Sequence, residues 1–569
     1  MKHYMDASLP PKERAELLLK EMVLDEKIAQ LTGVFSVKGR EKQMAAFFKN
    51  GIGQISALGF RMCESIEEAA AWQHQLQTMV MENSRLHIPA VFHMEGVNGA
   101  LLQDTTAFPS NVNRGAGFDP ALEKEIGEIV SRQEAAFGFT QVLAPVLDIS
   151  RDSRMGRQSE SYGEDPTLAA ALGTAFTKGV QETETAGRHP ESAAKHFLGF
   201  HRGAAGIHGA DVEISESLLR EVYAKPFQAA ITEAGLRGVM PCYCSINGLP
   251  VHASRKILTE LLREEMDFDG VTVSDYGGAE NTFRVQGTSE NTAEAGYRCL
   301  RAGLDVELPM PKVYSDMKEL FINGEADESV LNAAVLRVLE AKFRMGLFEN
   351  PFALQGAELE KTIHNSHDDE VSFQAAQQSI ILLKNNGVLP LSGKEKTIAV
   401  IGPAANNARY YFGGYTHMSM VEAMHAAMNS MAGTGGGGDS SQVKMQRVPG
   451  TNVQADETEE FSGILHKLEP KCRSLLQVLA DELPEAKILY APGYHKAGAD
   501  ESLFADALEI IRLADVVILT LGGKNGSGSI ATMGEGVDGT NINLPACQDA
   551  FIREAAKLGK PMIGVHFDG

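Results

Sequence analysis

The chain of 569 residues is 43% hydrophobic and 22% charged, with a formal net charge of −23. That length exceeds what one hydrophobic core serves, so two or three globular domains are expected. The acidic balance, with no basic run interleaved with aromatics, argues against nucleic acid and anionic membrane surfaces and favours a neutral or cationic small molecule as partner. Six cysteines, at 63, 242, 244, 299, 472 and 547, lack metal-ligand spacing and read as reduced thiols. The amino terminus has no apolar core of signal-peptide length, and no run reaches the roughly 18 apolar residues of a membrane helix. A cytoplasmic protein is the expectation, with its oligomeric state, homo-oligomer included, left open.

From about residue 11 to 350, strand-like runs alternate with helical patterns. The strands expected are IGQIS (52–56), IPAVF (88–92), QVLAPVL (141–147), AAKHF (193–197), GVMPCY (238–243), VTVS (271–274) and DVEL (305–308). Repeated strand–helix units over this length predict a (β/α)8 barrel of the TIM type, in which chemistry sits where strands end. The spacing of Val330, Ala334, Val335, Val338 and Ala341 predicts a helix over 328–345, capped by Gly346. Residues 1–352 are read as the barrel and 353–396 as a linker and domain entry. The runs TIAVIG (397–402), KILYA (487–491), VVILTL (516–521) and MIGVH (562–566) then predict an open, doubly wound α/β domain over 397–569. The glycine clusters at 428–442 and 522–529 lack the Gly-Lys-Ser/Thr of a phosphate loop and read as surface loops.

Several barrel runs finish on a polar residue: Glu95, Asp148, Lys195 with His196, Tyr243 and Asp275. One such residue would be a turn or cap. Five on the same end predict a site. Asp275 closes the run GVTVSDYGG (270–278), where glycines leave room above it for a nucleophile. Lys195, His196, Arg157 and Tyr243 would supply the positive charge and hydrogen bonds that keep it ionised. Glu95, Arg157, Lys195 and His196 also suit a sugar ring, whose hydroxyls lose water on binding. No HExxH or comparable ligand spacing occurs, so neither metal nor cofactor is expected.

GVTVSDYGG resembles the nucleophile segment of glycoside hydrolase family 3. GRQSESYGEDP (156–166), AAKHF, VMPCYCSINGLPVHAS (239–254) and QSIILLKNNGVLPL (378–391) are similar to further motifs of that family, in the family's order. The resemblance implies a retaining exo-β-glycosidase that releases non-reducing terminal sugars, β-D-glucose foremost. It places Asp275 as nucleophile, with Glu95, Arg157, Lys195, His196 and Tyr243 lining the innermost subsite or steadying the nucleophile. Glu535, in MGEGVDGTNINLPACQ (533–548), falls where relatives carry the acid/base. Such a mechanism uses two carboxyl groups, one ionised and one protonated until the leaving group departs.

Four departures from the family pattern stand out. Tyr276 replaces the usual Trp, removing a stacking face. Gly539 stands where an Arg usually follows the acid/base. Glu95 replaces an Asp, and its extra methylene favours a pentose, which makes a β-xylosidase the alternative. The sequence ends at MIGVHFDG, where relatives continue with more sheet, so an incomplete second domain with an open edge is expected. HRGAAGIHGADVE (201–213) supplies histidines near where an N-acetylglucosaminidase branch carries its acid/base, but KHFLGFH differs from that branch's KHFPGHG. A sugar-binding protein without turnover is the remaining alternative.

Overall fold

The computed structural model describes residues 3–431 and 446–567. The chain forms two compact units, one from Met1–Asp152 and Glu160–Ser379, the other from Ser153–Ser159 and Ile380–Gly569. The stretch 353–396, read above as linker and domain entry, therefore divides at Ser379. The helices Gly356–Ile363 and Ser366–Gln378 pack on helix Pro120–Ala136 of the first unit.

Seven strands of the first unit pair in parallel and in chain order: β1 (Gly33–Phe35), β2 (Gln54–Ser56), β3 (Val91–Met94), β4 (Gln141–Val142), β5 (Glu191–Phe197), β6 (Gly238–Pro241) and β7 (Val271–Thr272). Residues 305–307 close the ring as the eighth member. Val306 bridges Val273, and Glu307 bridges Thr32, both in parallel. The amide of Glu307 donates to Leu31 O and the amide of Gly33 to Glu307 O, each at 2.9 Å. With helices between successive strands, this is the expected (β/α)8 barrel. The strand without a sequence expectation is β1, only three residues long. The run QVLAPVL keeps a ladder only at Gln141 and Val142, with Val146 bridging Lys195 beyond Pro145, whose nitrogen has no hydrogen to give.

Local chemistry sets where the outer helices start. Asp119 and Asp165 each precede a proline at the first helical position, and each carboxylate accepts two backbone N–H groups of the first turn. The second of these lies in the GEDP end of the 156–166 motif, so that aspartate is a helix cap. Helix Ile66–Asn83 turns Ile66, Ala69, Ala70, Leu76 and Val80 to the barrel, the spacing of one helical face. Its Gln77 clamps the backbone before β3, donating to Ala90 O at 3.0 Å and accepting from Ala90 N at 2.9 Å. The helix expected over 328–345 runs Glu328–Arg344, and Gly346 follows it with φ +74°.

The second unit is a parallel sheet of β8 (Thr397–Ile401), β9 (Lys487–Ala491), β10 (Val516–Gly522) and β13 (Met562–Phe567), in the order β9, β8, β10, β13. Helices cover both faces: Phe504–Leu513 and Ala546–Ala556 on one, Leu475–Glu482 on the other. This accounts for the unbroken apolar run of β10, buried along its whole length. A short parallel pair, β11 (Asn525–Ser527) and β12 (Met533–Glu535), lies between β10 and β13 in the chain. The order reverses between β8 and β10, so the loops leaving them border the switch point where doubly wound sheets bind ligands. Of the glycine-rich stretch at 428–442, helix His417–Met431 takes the first four residues, and 432–442 lie outside the described residues.

The closing segment of the barrel depends on Asp305, fully buried. Its carboxylate accepts from Thr272 N at 2.9 Å, from Arg263 at 2.8 Å and from Arg337 at 2.6 Å. Burial pushes this carboxyl up, but the Arg337 and Arg263 guanidiniums outweigh it and leave it below the ordinary range. The stabilisation is therefore complete above the unfolded value of about 4 and is lost as pH falls through the folded one. Asp305→Ala leaves the partly buried Arg263 and Arg337 guanidiniums without their carboxylate and is expected to destabilise the first unit by about 3 kcal/mol near neutral pH. Denaturant unfolding checks this, and the difference from the parent should shrink as the pH is taken into the acid range.

Candidate active site

In the first unit, five residues singled out in the sequence come together at the carboxyl ends of the barrel strands. Glu95 follows β3, Lys195 and His196 lie in β5, Tyr243 follows β6, and Asp275 follows β7. All but Tyr243 are buried, and Tyr243 is partly so. Lys195 Nζ donates to Glu95 Oε2 at 2.5 Å, a charge pair nearly removed from water. Its strength depends on both partners staying in place, since either alone would be a buried charge.

His196 sits between two carboxylates. Its Nδ1 is 2.7 Å from Asp148 Oδ2, and its Nε2 is 3.8 Å from Asp275 Oδ2. Asp148, at the end of the QVLAPVL run, thus orients the imidazole whose other nitrogen faces Asp275. His201, from the stretch 201–213, is buried 3.8 Å from Asp148, and the His208 ring packs 5.5 Å from that of Tyr243.

Asp275 is held through its own backbone and that of its neighbour. Its amide donates to His252 Nε2 at 3.2 Å, its Oδ1 accepts from Tyr276 N at 2.8 Å, and the Tyr243 hydroxyl donates to Tyr276 O at 3.0 Å. Burial holds His252 down to about 3, so its ring is neutral and Nε2 has a lone pair to accept with. The Cβ of an alanine at 278 would lie 2.2 Å from that nitrogen, which requires Gly278. The result is a carboxylate 8% exposed with a fixed aim, an arrangement suited to nucleophilic attack on a small electrophile.

Arg157 and Glu535 belong to the second unit. Tyr415, on the loop after β8, donates to Glu535 Oε2 at 2.8 Å, and Arg157 Nη1 is 3.4 Å from Oε1. Arg157 is buried, whereas the Glu535 side chain keeps 34% of its surface. The strap 153–159 that presents Arg157 is pinned to this loop. Asp538 accepts from Gly156 N at 2.9 Å, Arg154 O accepts from Gly539 N at 2.7 Å, and Asn525 Nδ2 donates to Ser159 Oγ at 3.0 Å. With glycine at 539, the backbone amide makes that bond.

Beneath these loops lies a buried cluster of Arg409, Glu422, Asp456, Lys496 and Lys524. Asp456 receives Lys496, Lys524 at 2.8 Å and Arg409 at 3.1 Å, while Glu422 receives Arg409 and Lys524 at 2.6 Å. Burial raises the Asp456 carboxyl, but Lys524, Lys496 and Arg409 together hold it well below the usual range. Arg409, Lys496 and Lys524 come from the loops after β8, β9 and β10, so one set of charges ties the loops leaving three adjacent strands.

Tyr415 and His252 were not among the residues expected at the site from the sequence. His252 lies inside the quoted run 239–254, and Tyr415 follows two glycines after the first strand of a doubly wound sheet, where the switch-point rule points.

A barrel with a carboxylate at a strand end, joined in one chain to a doubly wound unit that holds a clamped glutamate, defines a two-domain glycoside hydrolase architecture. The family models agree: residues 23–341 match the Glycosyl hydrolase family 3 N terminal domain, and residues 380–569 the Glycosyl hydrolase family 3 C-terminal domain. The chain belongs to glycosyl hydrolase family 3. It is 32% identical over 506 residues to a beta-xylosidase of Formosa agariphila, covering 86% of this chain and 63% of that one. It is 29% identical over 558 residues to a periplasmic beta-glucosidase of Salmonella typhimurium, covering 97% and 67%. Among solved structures, a b-glucosidase from Erythrobacter marinus superposes with a TM-score of 0.80 at 26% identity, covering 99% of this chain and 72% of that one. The chain thus spans less than two thirds of the length of the Formosa relative.

Gly156 offers a local test of the strap. A Cβ there would lie 2.1 Å from Gly534 O and 2.2 Å from Val537 O, both fixed backbone atoms. Gly156→Ala is expected to destabilise the second unit by about 1–3 kcal/mol, seen as a lower unfolding transition in calorimetry. An unchanged melting profile would show that the strap does not pack against 533–539.

Proposed function

We propose that the chain is a retaining, exo-acting β-glycosidase that releases terminal sugars from the non-reducing end of β-glucosides or oligosaccharides, β-D-glucose first among them. The observation that carries this reading is Asp275: a strand-end carboxylate aimed by Tyr276 N and faced by His196, in a chain of this family. In the proposed reaction, an Asp275 oxygen attacks the anomeric carbon as the glycosidic C–O bond breaks, and Glu535 gives its proton to the leaving oxygen. Glu535 then takes a proton from water, whose oxygen attacks the anomeric carbon and releases the Asp275 carboxylate. Glu95, Lys195, Tyr243 and Arg157 are assigned to sugar hydroxyls or to steadying the nucleophile. The acidic chain suits a neutral sugar better than a polyanion.

A β-xylosidase, acting by the same steps, is the second reading. Glu95 in place of the family's usual Asp favours it: the side chain, bonded to Lys195 Nζ, is one methylene longer, which would disfavour a C6 hydroxymethyl and favour a pentose.

Hydrolysis of aryl β-glucoside, β-xyloside and β-N-acetylglucosaminide by the chain tests both readings. Asp275→Ala is expected to abolish turnover. Glu535→Ala should lose about 100-fold or more on substrates with poor leaving groups and regain activity with azide, as the β-glycosyl azide. A folded chain that turns over none of the three sugars would leave a sugar-binding protein as the reading. A product of inverted configuration would exclude the covalent route.

A further inference from the structure

Tyr276, which stands where the family usually has Trp, spends its polar end on the barrel interior. Its hydroxyl lies 2.8 Å from His93 Nε2, in β3, and makes a short hydrogen bond with Ser56 Oγ, at the end of β2. The direction of each bond follows from the His93 ring. Burial, with the nearby Lys195 charge, holds His93 down to about 3, so the ring is neutral. Its Nδ1 is 2.8 Å from Gln54 Oε1, an acceptor, so Nδ1 carries the proton and Nε2 the lone pair. The Tyr276 hydroxyl must therefore donate to His93. That leaves the phenol oxygen as acceptor from Ser56, whose own oxygen accepts from Leu58 N at 3.5 Å.

The other end of Tyr276 touches the nucleophile. Its amide donates to Asp275 Oδ1, and its carbonyl accepts from Tyr243. A turn with a single anchored backbone would let the carboxylate swing. A turn whose side chain is also fixed to β2 and β3 does not, because fixing the phenol fixes the direction of the amide N–H. We infer that Tyr276 is a positioning residue for Asp275, its hydroxyl anchored on His93 and Ser56 so that its backbone N–H aims the carboxylate. This rests on the reading of Asp275 as nucleophile. A tryptophan's indole N–H can donate but cannot also accept, so the pair of bonds to His93 and Ser56 needs a hydroxyl.

The test separates holding a sugar from attacking it. A 2-deoxy-2-fluoro glycoside with a good leaving group, of the sugar the chain prefers, traps the covalent intermediate, and peptide mass analysis locates it. Tyr276→Phe is expected to slow trapping about tenfold or more, while inhibition by the matching sugar lactam changes by less than about twofold. His93→Gln keeps an acceptor for the phenol and should trap within about threefold of the parent, whereas His93→Leu should be as slow as Tyr276→Phe. Parent-like trapping in Tyr276→Phe, equal losses of trapping and lactam binding, or indistinguishable His93 variants would overturn the inference. If Tyr276→Phe does not fold, Ser56→Ala replaces it, with a loss of about threefold or more expected and no loss counting against. A parent chain that is trapped at a residue other than Asp275, or not at all, would instead remove the nucleophile assignment, and this inference with it.

Discussion

Asp305 is an anion in the protein interior, held by guanidinium groups 42 residues before it and 32 residues after it in the chain. It lies where the barrel must close, between the last strand and the first, and its oxygens also take the amide of Thr272 in β7. Every strand-end side chain is placed relative to that closed ring. A seam that slipped by one residue would turn alternate side chains to the opposite face, and Asp275, three residues beyond Thr272, would no longer point where it does. The three charges at the seam thus bear on the geometry at the strand ends.

The two units use charge differently. In the first, the charged and titratable groups form short chains at the strand ends: Lys195 with Glu95, and His196 between Asp148 and Asp275. In the second, two carboxylates and three cations, all buried, share one cluster. Arg157 approaches the Glu535 carboxyl at 3.4 Å, while Tyr415 donates to its other oxygen. For the proton transfers proposed for Glu535, a cation at that distance and a neutral donor suit better than a tight ion pair.

Much of this was legible in the sequence because buried parallel strands are apolar on both faces and end abruptly. Seven of the eight barrel members announced themselves in that way, and Glu95, Lys195, His196, Tyr243 and Asp275 were visible as polar residues at the points of ending. The missing strand, Gly33–Phe35, is too short to show a pattern. The linkage of Tyr276 to His93 and Ser56 was illegible for a different reason: the partners are 183 and 220 residues away, and only closure of the barrel brings them together. Read locally, Tyr276 is a lost stacking face; in three dimensions it is a gained hydrogen bond. Arg157 shows the converse, since its motif was visible while its place beside Tyr415 depends on how 153–159 packs.

That strap has a genetic consequence. Residues 153–159 are encoded between two barrel segments, yet they supply the second unit with Arg157, the Gly156 amide and the Ser159 hydroxyl. No single cut in the gene separates the units cleanly. A fragment beginning at Ile380 would carry Glu535 without its arginine, and the barrel expressed alone would keep a seven-residue arm with nothing to clasp. Exchanging the stretch before Ser379 for a relative's would therefore also exchange the strap that faces Glu535.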